Sequence, residues 1–124
     1  MKPGKTILLV EDNAVESEAL ALILGDEGYS VVAVANGQDA IDYLARHCAP
    51  DLILLDMLMP VLDGWHFLAE VTQREPPVST PIIVTTSTII SREWALAHGC
   101  VGFLHKPVEP EEVAQEVRRC LNAA

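Results

Sequence analysis

Five short runs of β-branched or aliphatic residues, each followed by a stretch of helical spacing, restrict the fold of this chain more than any other feature. The runs are Thr6 to Val10, Val31 to Ala35, Leu52 to Leu55, Ile82 to Thr86 and Val101 to Leu104. Several are apolar at every position, the pattern of strands buried on both faces of a parallel sheet. Between them, Val15, Ala19, Leu22 and Ile23 recur at helical spacing, as do Ile41, Leu44, Ala45 and Cys48, and later Val113, Val117, Cys120 and Leu121. Residues Gly64 to Arg74 and Ser91 to His98 supply two more helices. Gly25, Gly28, Gly37, Gly99 and the Glu75-Pro76-Pro77 segment punctuate the pattern, and Pro110 followed by Glu111 and Glu112 marks a helix start.

Five βα units with right-handed crossovers predict an α/β protein with a doubly wound, five-stranded parallel sheet and five helices. The expected strand order is the flavodoxin-like 2-1-3-4-5. A chain of 124 residues, half of them hydrophobic, suffices for one domain over 1–124 and is expected to carry no output domain. Eighteen acidic against 8 basic residues give a net charge of −10, which repels both a nucleic-acid backbone and an anionic membrane. The apolar run Ile7 to Val10 stops at Glu11 and Asp12, too short for a signal core or a membrane span. Cys48, Cys100 and Cys120 lie far apart with no CxxC pair, so free thiols and a cytoplasmic protein are expected.

Ligands in open α/β sheets bind beyond the carboxyl ends of the strands. There the first run leads into Glu11 and Asp12, and the third into Asp56. One acid at a strand end is most often a turn former or a helix cap. Three acids brought into one crevice repel one another, and burial sharpens the conflict. A hard dication such as Mg²⁺ resolves it, since it prefers oxygen ligands and leaves room for a phosphate oxygen. The fourth run ends in Thr85, Thr86 and Ser87, and the fifth leads to Lys106-Pro107. Hydroxyls and an ammonium facing a metal-carboxylate centre suit a phosphoryl group.

With these residues in view, the chain resembles the receiver domains of response regulators in two-component signalling, over about Lys5 to Asn122. The segments that carry the resemblance are ILLVEDN, DLILLDMLMPVLDGW, PIIVTTS and GCVGFLHKP, at 7–13, 51–65, 81–87 and 99–107. The resemblance implies that Asp56 is the phosphoacceptor and that Glu11 and Asp12 are the metal-binding pair, completed by the Leu58 backbone carbonyl. It implies that Thr86 follows the phosphoryl oxygen, that Lys106 pairs with it, and that Phe103 is the switch aromatic. Thr85 is the rival hydroxyl; Thr86 is preferred because it stands 30 residues after Asp56 and precedes the small Ser87. The implied function is a signalling switch rather than an enzyme with external turnover. Implied partners are a sensor histidine kinase or histidine phosphotransfer protein and a downstream protein target, with the receiver a monomer or weak dimer. The stretch from Thr86 to Gly99 is a couple of residues shorter than usual for the family, which bears on contacts made by that face.

Other readings fit less well. An aspartyl phosphohydrolase of the best-known type needs a second Asp two residues after its nucleophile, where this chain has Leu58. A phosphorylation-silent interaction module usually lacks the acceptor or the lysine, and both are present. A flavin-binding flavodoxin needs a glycine- and hydroxyl-rich phosphate cradle, whereas Glu11-Asp12-Asn13 is acidic. Met59-Pro60 and Asp63-Gly64 are read as loop shape and helix entry, with Gly64 allowing a close chain approach. His47, His66, His98 and His105 lie at no metal-ligand spacing, Trp65 is a candidate fluorescence reporter, and Thr88 is a candidate influence on hydrolysis.

Overall fold

The computed structural model describes residues 4–57, 64–73, 79–87 and 90–122, with the side chains of Trp65 and Thr72 outside that description. Among the described residues, strands β1 (Thr6–Val10), β2 (Ser30–Val34), β3 (Leu52–Asp56), β4 (Ile82–Thr86) and β5 (Gly102–His105) alternate with five helices. The helices are α1 (Ala14–Asp26), α2 (Gly37–Arg46), α3 (Gly64–Gln73), α4 (Arg92–Ala97) and α5 (Pro110–Asn122). All four strand pairings are parallel, and the order is β2-β1-β3-β4-β5, as the sequence predicts.

Alternation along the strands divides the aliphatic residues between two cores. Leu8, Val10, Ile53, Leu55 and Val84 pack against Ala40 of α2, Phe67, Leu68 and Val71 of α3, and Ala95 of α4. Ile7, Leu9, Leu52, Leu54 and Ile83 pack against Leu20 and Leu24 of α1 and Val113, Val117 and Cys120 of α5. Each such side chain, fully buried, is worth about 1.5–3 kcal/mol relative to an exposed one, so the central strands anchor the domain. Short polar residues start the helices: the Asn13, Asn36 and Ser91 side chains accept the backbone N–H groups of Glu16, Asp39 and Trp94.

Some sequence expectations shift. β2 and β5 sit one residue away from the predicted runs, and β3 extends through Asp56. In α1, Val15 and Leu22 are 77% and 70% exposed, and the inward face is instead Leu20 and Leu24, with Ala21 and Ile23 partly buried. That helix carries apolar residues nearly all round, so spacing alone cannot choose the buried side. α2 ends at Arg46, which leaves Cys48 outside it and exposed, while Ala40 takes the innermost position. All three cysteines are free, Cys100 and Cys120 being buried.

The outer edge of β5 is closed by side chains. Phe103 N–H donates to Glu116 Oε2 at 2.9 Å, while Arg92 and Arg119 donate to the carbonyls of Phe103 and Val101 at 3.3 and 3.0 Å. Both arginines also pair with Glu116, at 3.2 and 3.0 Å. Burial acts to raise the Glu116 pKa, but Arg119, the Phe103 amide and Arg92 together hold it below its ordinary value. Backbone groups that could template a foreign strand are thereby occupied.

Candidate functional site

The residues that the sequence singles out stand at the carboxyl ends of β1, β3, β4 and β5. β1 delivers Glu11, whose N–H donates to Val34 O at 3.1 Å, and then Asp12. β3 ends in Asp56, the register partner of Thr85 on β4. β5 leads to Lys106, whose N–H donates to Thr86 O at 2.8 Å and so holds the lysine against the end of β4.

Ligand oxygens of Glu11, Asp12 and Asp56 all lie within 4.8 Å of one another. Glu11 and Asp56 are buried, at 3% and 4% exposure, and Asp12 is exposed. The Lys106 ammonium stands 3.0 Å from Glu11 Oε1 and 3.5 Å from Asp56 Oδ2. The other Glu11 oxygen, Oε2, accepts the Asn13 N–H at 3.2 Å.

Burial, joined by the charge and hydrogen bond of Asp56, raises the Glu11 carboxyl from 4.5 to about 7, against the opposing pull of Lys106 and the Asn13 amide. For Lys106, burial acts to lower the pKa, but the hydrogen bond to Glu11 and the charges of Asp56, Glu11 and Glu16 hold it above its ordinary value. One ammonium is thus too little positive charge for the acids that face it. An all-oxygen donor set, crowded and under-neutralised, fits a hard dication.

Thr85 and Thr86 are both buried and lie on opposite faces by strand alternation. Thr85 lines a groove with Lys106, Pro107 and α1. Thr86 follows Val84, which pairs with Phe103, so Thr86 and Phe103 are diagonal neighbours on the face of α4. Phe103 is partly buried against that core. Leu58, Met59, Pro60, Asp63 and Thr88, and the side chain of Trp65, lie outside the described residues. His66 and His105 are exposed.

One residue escaped the sequence reading. Glu16, in the first turn of α1, stands 3.5 Å from the Lys106 ammonium. The Asn13-x-x-Glu16 spacing at the helix start marks a capping pair and was the available signal.

Comparison with known proteins decides the family: the model of the response regulator receiver domain matches residues 7–118. The chain belongs to the response regulator receiver family. This receiver is 30% identical to protein PilH of Pseudomonas aeruginosa, covering 93% of this chain and 96% of that one. It is 31% identical to the probable transcriptional regulator ycf29 of Porphyra purpurea, covering 93% of this chain and 56% of that protein. The chain spans about half the length of several such curated relatives. Among solved structures, a putative response regulator from Chloroflexus aurantiacus superposes with a TM-score of 0.87 at 30% identity, covering 97% of this chain and 99% of that one. The receiver domain of a Pseudomonas aeruginosa sensor histidine kinase, solved with magnesium in its active-site cleft, gives a TM-score of 0.85 at 34% identity, covering 97% and 99%. Receiver domains are signalling switches of two-component systems rather than enzymes in the ordinary sense, and they bind Mg²⁺ at an acidic pocket. Their partners are histidine kinases and phosphotransfer proteins.

Proposed function

We propose that this receiver accepts a phosphoryl group on Asp56 from a phosphohistidine of a partner kinase or phosphotransfer protein, and that the acyl phosphate changes the surface read by a downstream protein. The observation that carries this reading is the meeting of Glu11, Asp12 and Asp56 within 4.8 Å beside the Lys106 ammonium. Glu11, Asp12 and Asp56 would hold Mg²⁺, with the Leu58 carbonyl as a further ligand by family resemblance. Bound there, the dication supplies charge neutralisation for the nucleophile and the phosphoryl oxygens.

An Asp56 carboxylate oxygen attacks phosphorus in line. The O–P bond forms as the P–N bond breaks, and the imidazole leaves with the electron pair. Lys106 binds one phosphoryl oxygen and the Thr86 hydroxyl another. Thr86 moving toward the phosphoryl group frees space on its own face for Phe103, and the surface of β5 and α4 responds. Water later cleaves the acyl phosphate and resets the switch. The donor approaches α1, where Val15, Ala19 and Leu22 form an exposed apolar stripe next to the site. With the net charge of −10, this supports a protein partner rather than nucleic acid or membrane, in a cytoplasmic setting.

Incubation with acetyl phosphate and Mg²⁺ is the direct test. One phosphoryl group per chain should be incorporated, and chelating the metal should prevent it. A wild-type chain that stays unlabelled with Mg²⁺ present would reject the reading.

Acidity at Glu11 adds a second expectation. Between 4.5, its ordinary value, and about 7, its folded-state value, the folded chain holds a proton that the unfolded chain has released. Metal-free stability therefore contains a contribution that is lost as pH rises through that window. A dication must displace the same proton, so Mg²⁺ should bind more tightly, and stabilise more, above the window than below it. Thermal melts with Mg²⁺ and with EDTA should show a larger metal-induced rise in Tm at pH 8 than at pH 5. Equal rises at both would remove Glu11 from the metal set.

A further inference from the structure

Lys106 faces three carboxylates, and they are not equivalent. Glu11 and Asp56 belong to the cluster of acids that fits a dication, while Glu16 stands outside that cluster. An ammonium and a dication compete for the oxygens of Glu11 and Asp56, and with both cations present each repels the other. Glu16 provides the ammonium with a partner that the metal does not use.

Local bonding leaves Glu16 available for this. In a complete capping box the third-position carboxylate bonds back to the N-cap N–H. Here the Asn13 side chain accepts the Glu16 N–H at 3.0 Å, but the Asn13 N–H goes to Glu11 Oε2 at 3.2 Å. Half of the box is taken over by the metal-site acid, and the Glu16 carboxylate turns to Lys106, at 3.5 Å. Around the pair, Ala19, Leu20, Ile23, Pro107 and Val108 line one groove with Glu16 and Lys106. Apolar walls of this kind strengthen the pull between the two charges relative to open solvent.

We propose that Glu16 is a positioning residue: by drawing the Lys106 ammonium toward α1, it relieves competition for Glu11 and Asp56 and so tightens metal binding without ligating the metal. This rests on the phosphoacceptor reading above. It couples the occupancy of the acid cluster to the position of the cation that would later receive the phosphoryl group.

Calorimetric titration of the whole chain with MgCl₂ separates this role from a general field effect. Glu16→Gln should raise the Mg²⁺ Kd roughly threefold, the scale of a partly exposed ion pair. In a Lys106→Met background the same substitution should leave Kd nearly unchanged, because the competing cation is already gone. Glu16→Asp keeps the charge but shortens the reach to Lys106, so it should behave like Glu16→Gln. Equal weakening in both backgrounds, wild-type affinity in Glu16→Asp, or no effect of Glu16→Gln would each overturn the proposal. If the Lys106→Met chain does not fold, the comparison of Asp with Gln at position 16 decides alone. Absence of Mg²⁺ binding by the wild-type chain is a separate result, since it removes the phosphoacceptor reading and the Glu16 role with it.

Discussion

Asp56→Asn will take up no phosphoryl group from acetyl phosphate and Mg²⁺ under conditions that label the wild-type chain. The amide has nearly the shape of the carboxylate, and Asp56 is only 4% exposed, so packing at the end of β3 is preserved. What disappears is the anionic oxygen that the proposed transfer needs as its nucleophile. The fold should not suffer. Asp56 is one of the causes that raise the Glu11 pKa, so removing its charge relieves repulsion between two buried acids. A melt of the metal-free variant should therefore give a Tm at or above wild type, which excludes unfolding as the reason for lost labelling. Labelling at the wild-type level would mean that another group, with the exposed Asp12 the nearest candidate, is the acceptor.

Gly64→Ala should damage the same site from the opposite side. A Cβ at position 64 would stand 2.6 Å from both Met57 Cα and Met57 Sδ and 3.0 Å from the Asp56 carbonyl oxygen. Met57 is completely buried, and the Gly64 N–H donates to Met57 O at 3.2 Å, so the start of α3 is tied closely to the end of β3. The Met57 side chain can shift, but Met57 Cα and the Asp56 carbonyl are backbone and must give way as well. Overpacking of this kind costs about 1–3 kcal/mol. For a domain of this size that corresponds to a fall in Tm on the order of 4 °C per kcal/mol. Displacing the Asp56–Met57 backbone also moves the proposed acceptor, Asp56, relative to Lys106, so labelling by acetyl phosphate should slow. An unchanged Tm together with an unchanged labelling rate would show that the approach of α3 to β3 is looser than these distances.

The two substitutions differ in how visible their sites are from sequence. Asp56 is legible because an apolar run ending in an acid, beside a second run ending in two more, has few physical solutions in a parallel sheet. The same holds for α5, whose Val113, Val117 and Cys120 face inward as their spacing predicts. The role of Gly64 is half legible: a glycine at a helix entry signals a close approach, but only the tertiary structure identifies Met57 as what it approaches.

Where sequence reasoning failed, the cause was degeneracy rather than a weak signal. α1 has two apolar stripes, Val15-Ala19-Leu22 and Leu20-Leu24, and either could face the sheet. Packing against β1, β3 and α5 chose Leu20 and Leu24, leaving the other stripe exposed. Glu16 belongs to the same problem. Local spacing assigns it to a helix cap, yet Asn13 gives its N–H to Glu11, and Glu16 meets a lysine ninety residues away along the chain.

By itself the sequence determined the strands, their parallel character and the acids at the ends of β1 and β3, because these follow from residue periodicity and from where strands end; the order 2-1-3-4-5 was an expectation from the fold class that the structure bears out. The tertiary structure alone decided which side of α1 is buried, what closes the edge of β5, and how three carboxylates share one ammonium. Those outcomes depend on competition between residues distant in the chain. Such competition is settled by distances that no local pattern encodes.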